Sequence, residues 1–389
     1  MSAGRPLRVL MLAGEPSGDR HGARVVQALR ARGPCEISGL AGPEMRAAGV
    51  RPLVAMEDVS VLGVVEVLAH LPALWGARRR LVAALESSPD LVIPIDFPGF
   101  NLPFAEAAGR RGLPVLYYVS PQVWAWGAKR VQRLASAGCH MAVVFPFEET
   151  LYREAGVPVT YVGHPLAEEL ATPHEAEAVH AAAGLAPETP YVALLPGSRL
   201  QEVRRLLPPM LDAVAGLGAA GHPVAGIVAA ASPRLAAQAR ELTVGRGLAV
   251  TVMEEDTHSV VAHARAALVC SGTATLETAA LGTPLVIVYR LAPVTWLLAR
   301  RLVRLPRIGL ANIVAGEDVA PELLQGHANG EEMARALIPL LVDGPERARA
   351  LEGVARVRGL LGAPGASARV ADLAFELAGR GARTARVSA

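Results

Sequence analysis

The chain has 389 residues, 52% of them hydrophobic and 19% charged, which supplies more than one core and excludes a disordered protein. Its 38 basic and 36 acidic residues leave a formal net charge of +2, which argues against a nucleic-acid partner. Cys35, Cys139 and Cys270 stand far apart with no metal or disulfide spacing, as expected of a reducing compartment.

The opening MSAGRPLRVLMLAGE carries too short an apolar run for a signal peptide. It reads instead as a buried strand, Arg8 to Gly14, then the turn Glu15-Pro16-Ser17-Gly18-Asp19 and a helix. Strands are predicted at Glu36 to Leu40, Leu91 to Ile95, Val115 to Val119, Met141 to Phe145 and Val159 to Val162. Helices fall between them, including Asn101 to Arg111 and Glu148 to Ala155. Continuous apolar strands point to a parallel sheet covered on both faces.

After His164 the sequence becomes polar, Ala-rich and proline-punctuated, as a linker with a short helix over 171–190 would be. The same grammar then restarts with strand Tyr191 to Leu195, turn Pro196-Gly197-Ser198-Arg199 and helix Gln201 to Leu217. Further strands are predicted at Val224 to Ala229, Ala249 to Met253, Ala267 to Cys270 and Pro284 to Val288. The reading is two α/β domains of Rossmann type, 1–170 and 191–342, with the helical tail 343–389 packing back on the first. Such a pair binds its ligand at the C-terminal ends of the strands, in a cleft between the domains.

Residues just past the strand ends are therefore the candidates. Ser271-Gly272-Thr273 ends a strand and opens a helix, where free N–H groups suit a diphosphate, and Glu277 lies one turn further, placed to accept from ribose hydroxyls. The competing reading is an ordinary Ser/Thr helix cap. Gly197, Ser198 and Arg199 occupy the equivalent turn in the first unit of that domain, with Arg199 offering a fork of donors to phosphate. Glu202, three residues on, could instead hold Arg199 in a local salt bridge. In the first domain Asp96 follows an apolar strand and suits a general base, or else holds Asn101 or caps the next helix. Glu15 and His21 follow the first strand, and His164 another.

Several signatures are missing. There is no GxxxxGK[ST], no GxGxxG after the first strand and no GxSxG, and Glu254, Glu255, Asp256 and His258 lack metal-ligand spacing. No apolar stretch reaches the roughly 18 residues needed to cross a bilayer. Two segments, Val59 to Leu81 with Trp75 and Val294 to Ile308 with Trp296, interleave Trp and Leu with arginine, as at an anionic membrane surface or an acyl-chain site. The competing reading for each is a buried helix beside an arginine-rich surface.

Taken together, ordered motifs resemble the lipid-A-disaccharide synthase family. They are Ala13-Gly14-Glu15 with Ser17-Gly18-Asp19 and His21-Gly22-Ala23, Val61-Leu62-Gly63 with Glu66-Val67-Leu68, and Tyr118 to Pro121 with Val123 to Trp126. They continue in Phe145 to Glu148, Gly163-His164-Pro165, Leu194 to Arg199 with Glu202, Ser271 to Glu277, Tyr289-Arg290, Asn312 to Gly316, and Pro321 to Gln325. The resemblance implies the GT-B fold, two Rossmann-like domains facing across a cleft, and an inverting glycosyltransferase. It implies transfer of 2,3-diacylglucosamine from its UDP derivative to the 6-hydroxyl of 2,3-diacylglucosamine 1-phosphate, releasing UDP. No metal or cofactor is expected, since arginine and helix N–H groups can balance the leaving diphosphate. The resemblance also implies a cytoplasmic protein, peripheral on the inner membrane face, with a homodimer allowed. The family's catalytic aspartate maps onto Asp96, its nucleotide-side arginine onto Arg199 and its asparagine onto Asn312. One departure is visible: where the family reads Asp-x-Pro-Asp-Phe-Asn, this chain has Gly99 at the second aspartate. A UDP-sugar epimerase, a transferase for another glycolipid and a non-catalytic sugar-nucleotide-binding protein are the competing readings.

Overall fold

The computed structural model describes residues 5–59, 75–121, 128–170, 173–254, 256–291 and 307–387. The chain divides into two compact units, Met1–Glu168 with Ala363–Ala389, and Glu169–Gly362. The predicted membrane-facing stretches lie mostly outside the described residues, Trp296 among them, whereas Trp75 is described.

The first unit is built on seven strands: β1 (Leu7–Ala13), β2 (Cys35–Ala41), β3 (Arg51–Ala55), β4 (Leu91–Ile95), β5 (Val115–Tyr118), β6 (Cys139–Val143) and β7 (Val159–Tyr161). Their order is β3-β2-β1-β4-β5-β6-β7, and every pair is parallel. Runs such as Leu-Val-Ile-Pro-Ile in β4 and Val-Leu-Tyr-Tyr in β5 are buried throughout because helices cover both faces. The helices starting at Pro16, Pro98 and Pro146 carry proline at their first position, where its missing N–H costs nothing.

The second unit repeats the plan with β8 (Tyr191–Leu195), β9 (Ala225–Ala229), β10 (Val250–Met253), β11 (Ala266–Cys270), β12 (Leu285–Tyr289) and β13 (Glu322–Leu324). Their order, β10-β9-β8-β11-β12-β13, is again wholly parallel. In both sheets the winding reverses beside the first strand, between β1 and β4 and between β8 and β11. In open α/β sheets that reversal is where ligands bind.

Two boundaries differ from the sequence expectation. The short helix expected in the linker is Ala176–Ala183, but it belongs to the second unit, which begins at Glu169 rather than 191, because Val179 and Ala183 bury apolar surface there. The helix Pro345–Leu360 also stays with the second unit, so the return to the first begins at Ala363 rather than at 343. Helix Ala366–Val387 then lies along helix Pro16–Arg32, tied by Arg32 to Asp372 (2.5 Å) and to the Ala368 carbonyl (2.8 Å). Arg369 donates to the Val162 carbonyl at 2.7 Å. The short strands β3 and β13 escape the sequence pattern, since neither is a continuous apolar run.

Candidate active site

At the reversal point of the first sheet, β4 ends at Ile95 and the chain turns through Asp96 and Phe97, both left-handed (φ +44° and +47°). Two consecutive non-glycine residues in that region are strained and need support. Support comes from both sides of the turn. Fully buried Asn101 donates its amide to the carbonyls of Ile95 (3.0 Å) and Asp96 (2.9 Å), and the Tyr117 hydroxyl donates to the Asp96 carbonyl at 2.8 Å. The Asp96 N–H in turn donates to the Tyr118 carbonyl at 3.0 Å. Gly14, at the end of β1, completes the fit, because a methyl group there would overlap the Phe97 ring.

The Asp96 carboxyl group, half-buried, titrates at about 6. Burial is the main cause, the nearby Glu15 carboxylate adds to it, and the Phe97 backbone N–H and His21 act in the opposite direction. The structure thus brings Asp96, Glu15 and His21 together, with Glu15 exposed and His21 edge-on to Tyr118 at 6.5 Å between ring centroids. Of the two alternatives weighed for Asp96, the Asn101 contact is real but uses the backbone carbonyl, which leaves the carboxylate to face other groups. Asp19, by contrast, holds the fold together. It is buried and accepts from the N–H groups of Gly42, Glu44 and Met45 at 2.8, 2.8 and 3.2 Å. His164 is likewise structural, accepting from the Leu166 N–H at 3.1 Å beside Phe145.

At the reversal point of the second sheet, Gly197 has φ +120°, and a side chain there would collide with Glu202. The Glu202 carboxylate accepts from the N–H groups of Ser198 (3.0 Å) and Arg199 (3.1 Å) and pairs with the Arg199 guanidinium at 2.8 Å. The turn is therefore closed by its own carboxylate, as the Arg199-to-Glu202 spacing of a capping box allows. Arg199 remains largely exposed, beside Cys270 and Tyr289 at the ends of β11 and β12. Next to it, Ser271 donates its hydroxyl to the Ile308 carbonyl at 3.0 Å. Gly272 precedes helix Thr273–Ala280, Thr273 is exposed, and Glu277 is half-buried one turn in.

Asn312 corrects the sequence expectation. It is fully buried, and its amide donates to the Ala320 carbonyl (2.8 Å) and to Glu322 (2.8 Å) while accepting from the N–H groups of Val319 (2.9 Å) and Ala320 (3.0 Å). Two donors and two acceptor sites are the full capacity of an amide side chain, so none is left for a nucleotide. Glu322, which lies within the Pro321-to-Gln325 motif but is not singled out there as a site residue, receives Gly309 N–H at 2.9 Å and Ile308 N–H at 3.0 Å in the same network. Asp256 is similarly local: it caps helix Thr257–Ala262 and pairs with His174 at 2.6 Å. Among the described residues no group of three or more His, Cys, Asp or Glu could hold a metal ion.

Residues 9–361 match the family model of Lipid-A-disaccharide synthetase, LpxB. The chain belongs to that family. It is 42% identical over 375 residues to the Lipid-A-disaccharide synthase of Geobacter metallireducens, covering 96% of this chain and 98% of that one. With the corresponding protein of Myxococcus xanthus the identity is 40% over 377 residues, 96% of this chain and 98% of the other. Among solved structures, the calicheamicin glycosyltransferase CalG4 superposes with a TM-score of 0.60 at 19% identity, covering 97% and 99% of the two chains. UDP-GlcNAc 2-epimerase from Neisseria meningitidis bound to UDP-GlcNAc gives 0.63 at 11% identity, covering 95% and 100%. These two likenesses show the fold, the GT-B pairing of Rossmann-like domains. The family assignment makes this chain a glycosyltransferase of lipid A biosynthesis, with a candidate group of site residues at the reversal point of each sheet.

Proposed function

We propose that this chain joins UDP-2,3-diacylglucosamine to 2,3-diacylglucosamine 1-phosphate, giving a β-1,6-linked disaccharide 1-phosphate and UDP. The observation that carries the reading is Asp96, a carboxylate at a ligand-binding reversal point, held on a buttressed turn and titrating at about 6. Near neutral pH it is mostly ionised yet still basic enough to take a proton from a sugar hydroxyl. The acceptor O6 loses its proton to Asp96 and bonds to the anomeric carbon as the bond to the UDP oxygen breaks. Backside attack turns the α-linked donor into a β-linked product, with no covalent enzyme intermediate. Glu15 and His21, beside Asp96, orient the acceptor or its phosphate.

The donor belongs to the second unit. Gly197, Ser198 and Arg199, with Ser271, Gly272 and Thr273 at the neighbouring helix start, are assigned to the diphosphate, and Glu277 to the ribose. Asn312 acts indirectly, by fixing the 308–322 segment that the Ser271 hydroxyl contacts. Both substrates carry acyl chains, which fits peripheral association with the inner face of the cytoplasmic membrane. In support, Trp75 is 78% exposed and is followed by Arg78, Arg79 and Arg80. Among the described residues no helix is long and apolar enough to cross a membrane.

Incubation with UDP-2,3-diacylglucosamine, with and without the monophosphate acceptor, followed by mass analysis, tests this reading. A disaccharide phosphate formed only when acceptor is present is the expected result. Free epimerised sugar nucleotide would refute the transferase, and transfer to a different glycolipid only would refute this acceptor.

A further inference from the structure

A cavity of about 920 Å³ lies at the opposite end of the first sheet from Asp96. It is lined from the beginnings of β1, β2 and β3 and from helix 75–84, whereas Asp96 follows the C-terminal end of the parallel strand β4. Among the described residues its wall carries Arg8, Arg30, Arg51 and Arg80 against a single carboxylate, Glu36. Two of the arginines are fixed in place by backbone carbonyls. Arg8 donates to Ser87 (3.0 Å) and Ser88 (2.5 Å), and Arg30 donates to Gly49 at 2.9 Å. A carbonyl orients a guanidinium without neutralising its charge. Arg8 also pairs with Asp90 at 3.9 Å, a carboxylate it shares with Arg5. Arg51 and Arg80 are exposed, with no hydrogen bond or ion pair among the described residues. The apolar floor open to a ligand is half-buried Leu53 and Ala84 with exposed Ala83, whereas Val9, Leu10 and Ile37 are buried and contribute little surface.

Like charges gathered around a partly apolar hollow repel one another and favour an anion among them. We propose that this cavity binds an anionic amphiphile, its phosphate head on Arg30, Arg51 and Arg80 and its alkyl chain on the apolar floor. The size argues for the chain, because pockets for organic ligands run to roughly 300–1,000 Å³ and a phosphate alone would fill little of this one. The inference is independent of the proposed reaction, whose residues lie at the other end of the strands.

Cys35 reports occupancy, since it lines the cavity and is half-buried while Cys139 and Cys270 are buried. The experiment follows maleimide labelling of Cys35 in the full chain at low ionic strength and alkaline pH. The probes are monododecyl phosphate below its micellar concentration, dodecyl maltoside and inorganic phosphate. Monododecyl phosphate is expected to slow labelling about ten-fold, and the other two far less at equal concentration. The double variant Arg51→Ala/Arg80→Ala should need about ten-fold more monododecyl phosphate for the same protection, the scale of a lost charged hydrogen bond. A urea melt checks that it folds, and Arg51→Gln/Arg80→Gln replaces it if the midpoint falls. Equal protection by dodecyl maltoside would overturn the anion requirement, and equal protection by inorganic phosphate would overturn the amphiphile. Unchanged protection in the double variant would overturn the site.

Discussion

Asn101 bonds to the carbonyl of Asp96 at 2.9 Å, so the residue that closes the Asp96-to-Asn101 motif also braces its beginning. The same amide nitrogen reaches the Ile95 carbonyl, and Tyr117 adds a second donor to Asp96. Replacing Asn101 by Ala strands buried carbonyls and should cost about 1–3 kcal/mol in stability. Tyr117→Phe removes one hydrogen bond and should cost about 0.5–1.5 kcal/mol. Urea unfolding curves with unchanged slopes would give both values, and equal losses would argue against Asn101 as the main brace.

Asp96→Asn keeps the shape of the turn, since asparagine tolerates a left-handed backbone, but removes the base. Turnover should fall by about 10²–10⁴-fold with UDP binding nearly intact. In the wild type, kcat/KM should rise with pH through about 6 as Asp96 ionises. A variant retaining more than about a tenth of wild-type turnover would move the base role to Glu15.

The same carboxylate shapes stability. Its folded pKa, about 6, lies above the ordinary 3.8, so between these values the folded state binds more protons than the unfolded one. Stability from this group is therefore full below about pH 4 and is lost as pH rises through 6. Asp96→Asn should be more stable than wild type at pH 7.5 by about 1–3 kcal/mol, a difference that shrinks towards pH 4. Chemical denaturation at the two pH values measures it, and a variant less stable at pH 7.5 would contradict the burial argument.

Arg199 and Glu202 form an ion pair at the place assigned to the diphosphate. Arg199→Ala should weaken UDP binding about ten- to a hundred-fold, as a charged hydrogen bond is lost. Glu202→Gln keeps an oxygen for the Ser198 and Arg199 N–H groups while releasing the guanidinium, so UDP affinity should hold or rise. Calorimetry separates the two variants, and equal weakening would mean that the paired form is the one that binds.

Gly99 is exposed, and a side chain built on it would meet nothing within 4 Å. Gly99→Asp should therefore leave the thermal midpoint nearly unchanged. Its effect should fall on KM for the acceptor, because the new carboxylate would stand three residues from Asp96. A large change in UDP affinity instead would place Gly99 on the donor side.

The hydrophobic pattern of the sequence by itself determined the two parallel sheets and most of their strands, because a strand buried on both faces must be apolar along its length. It also placed the polar turns at the strand ends, including Asp96, Arg199 and Ser271, since the chain can become polar only where it leaves the core. What those side chains do was decided by tertiary structure. Asn312 spends its whole amide on a loop seven to ten residues away, and Glu322 meets it only after the chain has folded back. Burial, which raises the Asp96 pKa, depends on neighbours from β1, β5 and helix Pro98–Gly109 that no local pattern specifies. The arginine cavity arises in the same way: Arg8 and Glu36 become neighbours through strand register, and Arg80 joins them from a separate helix.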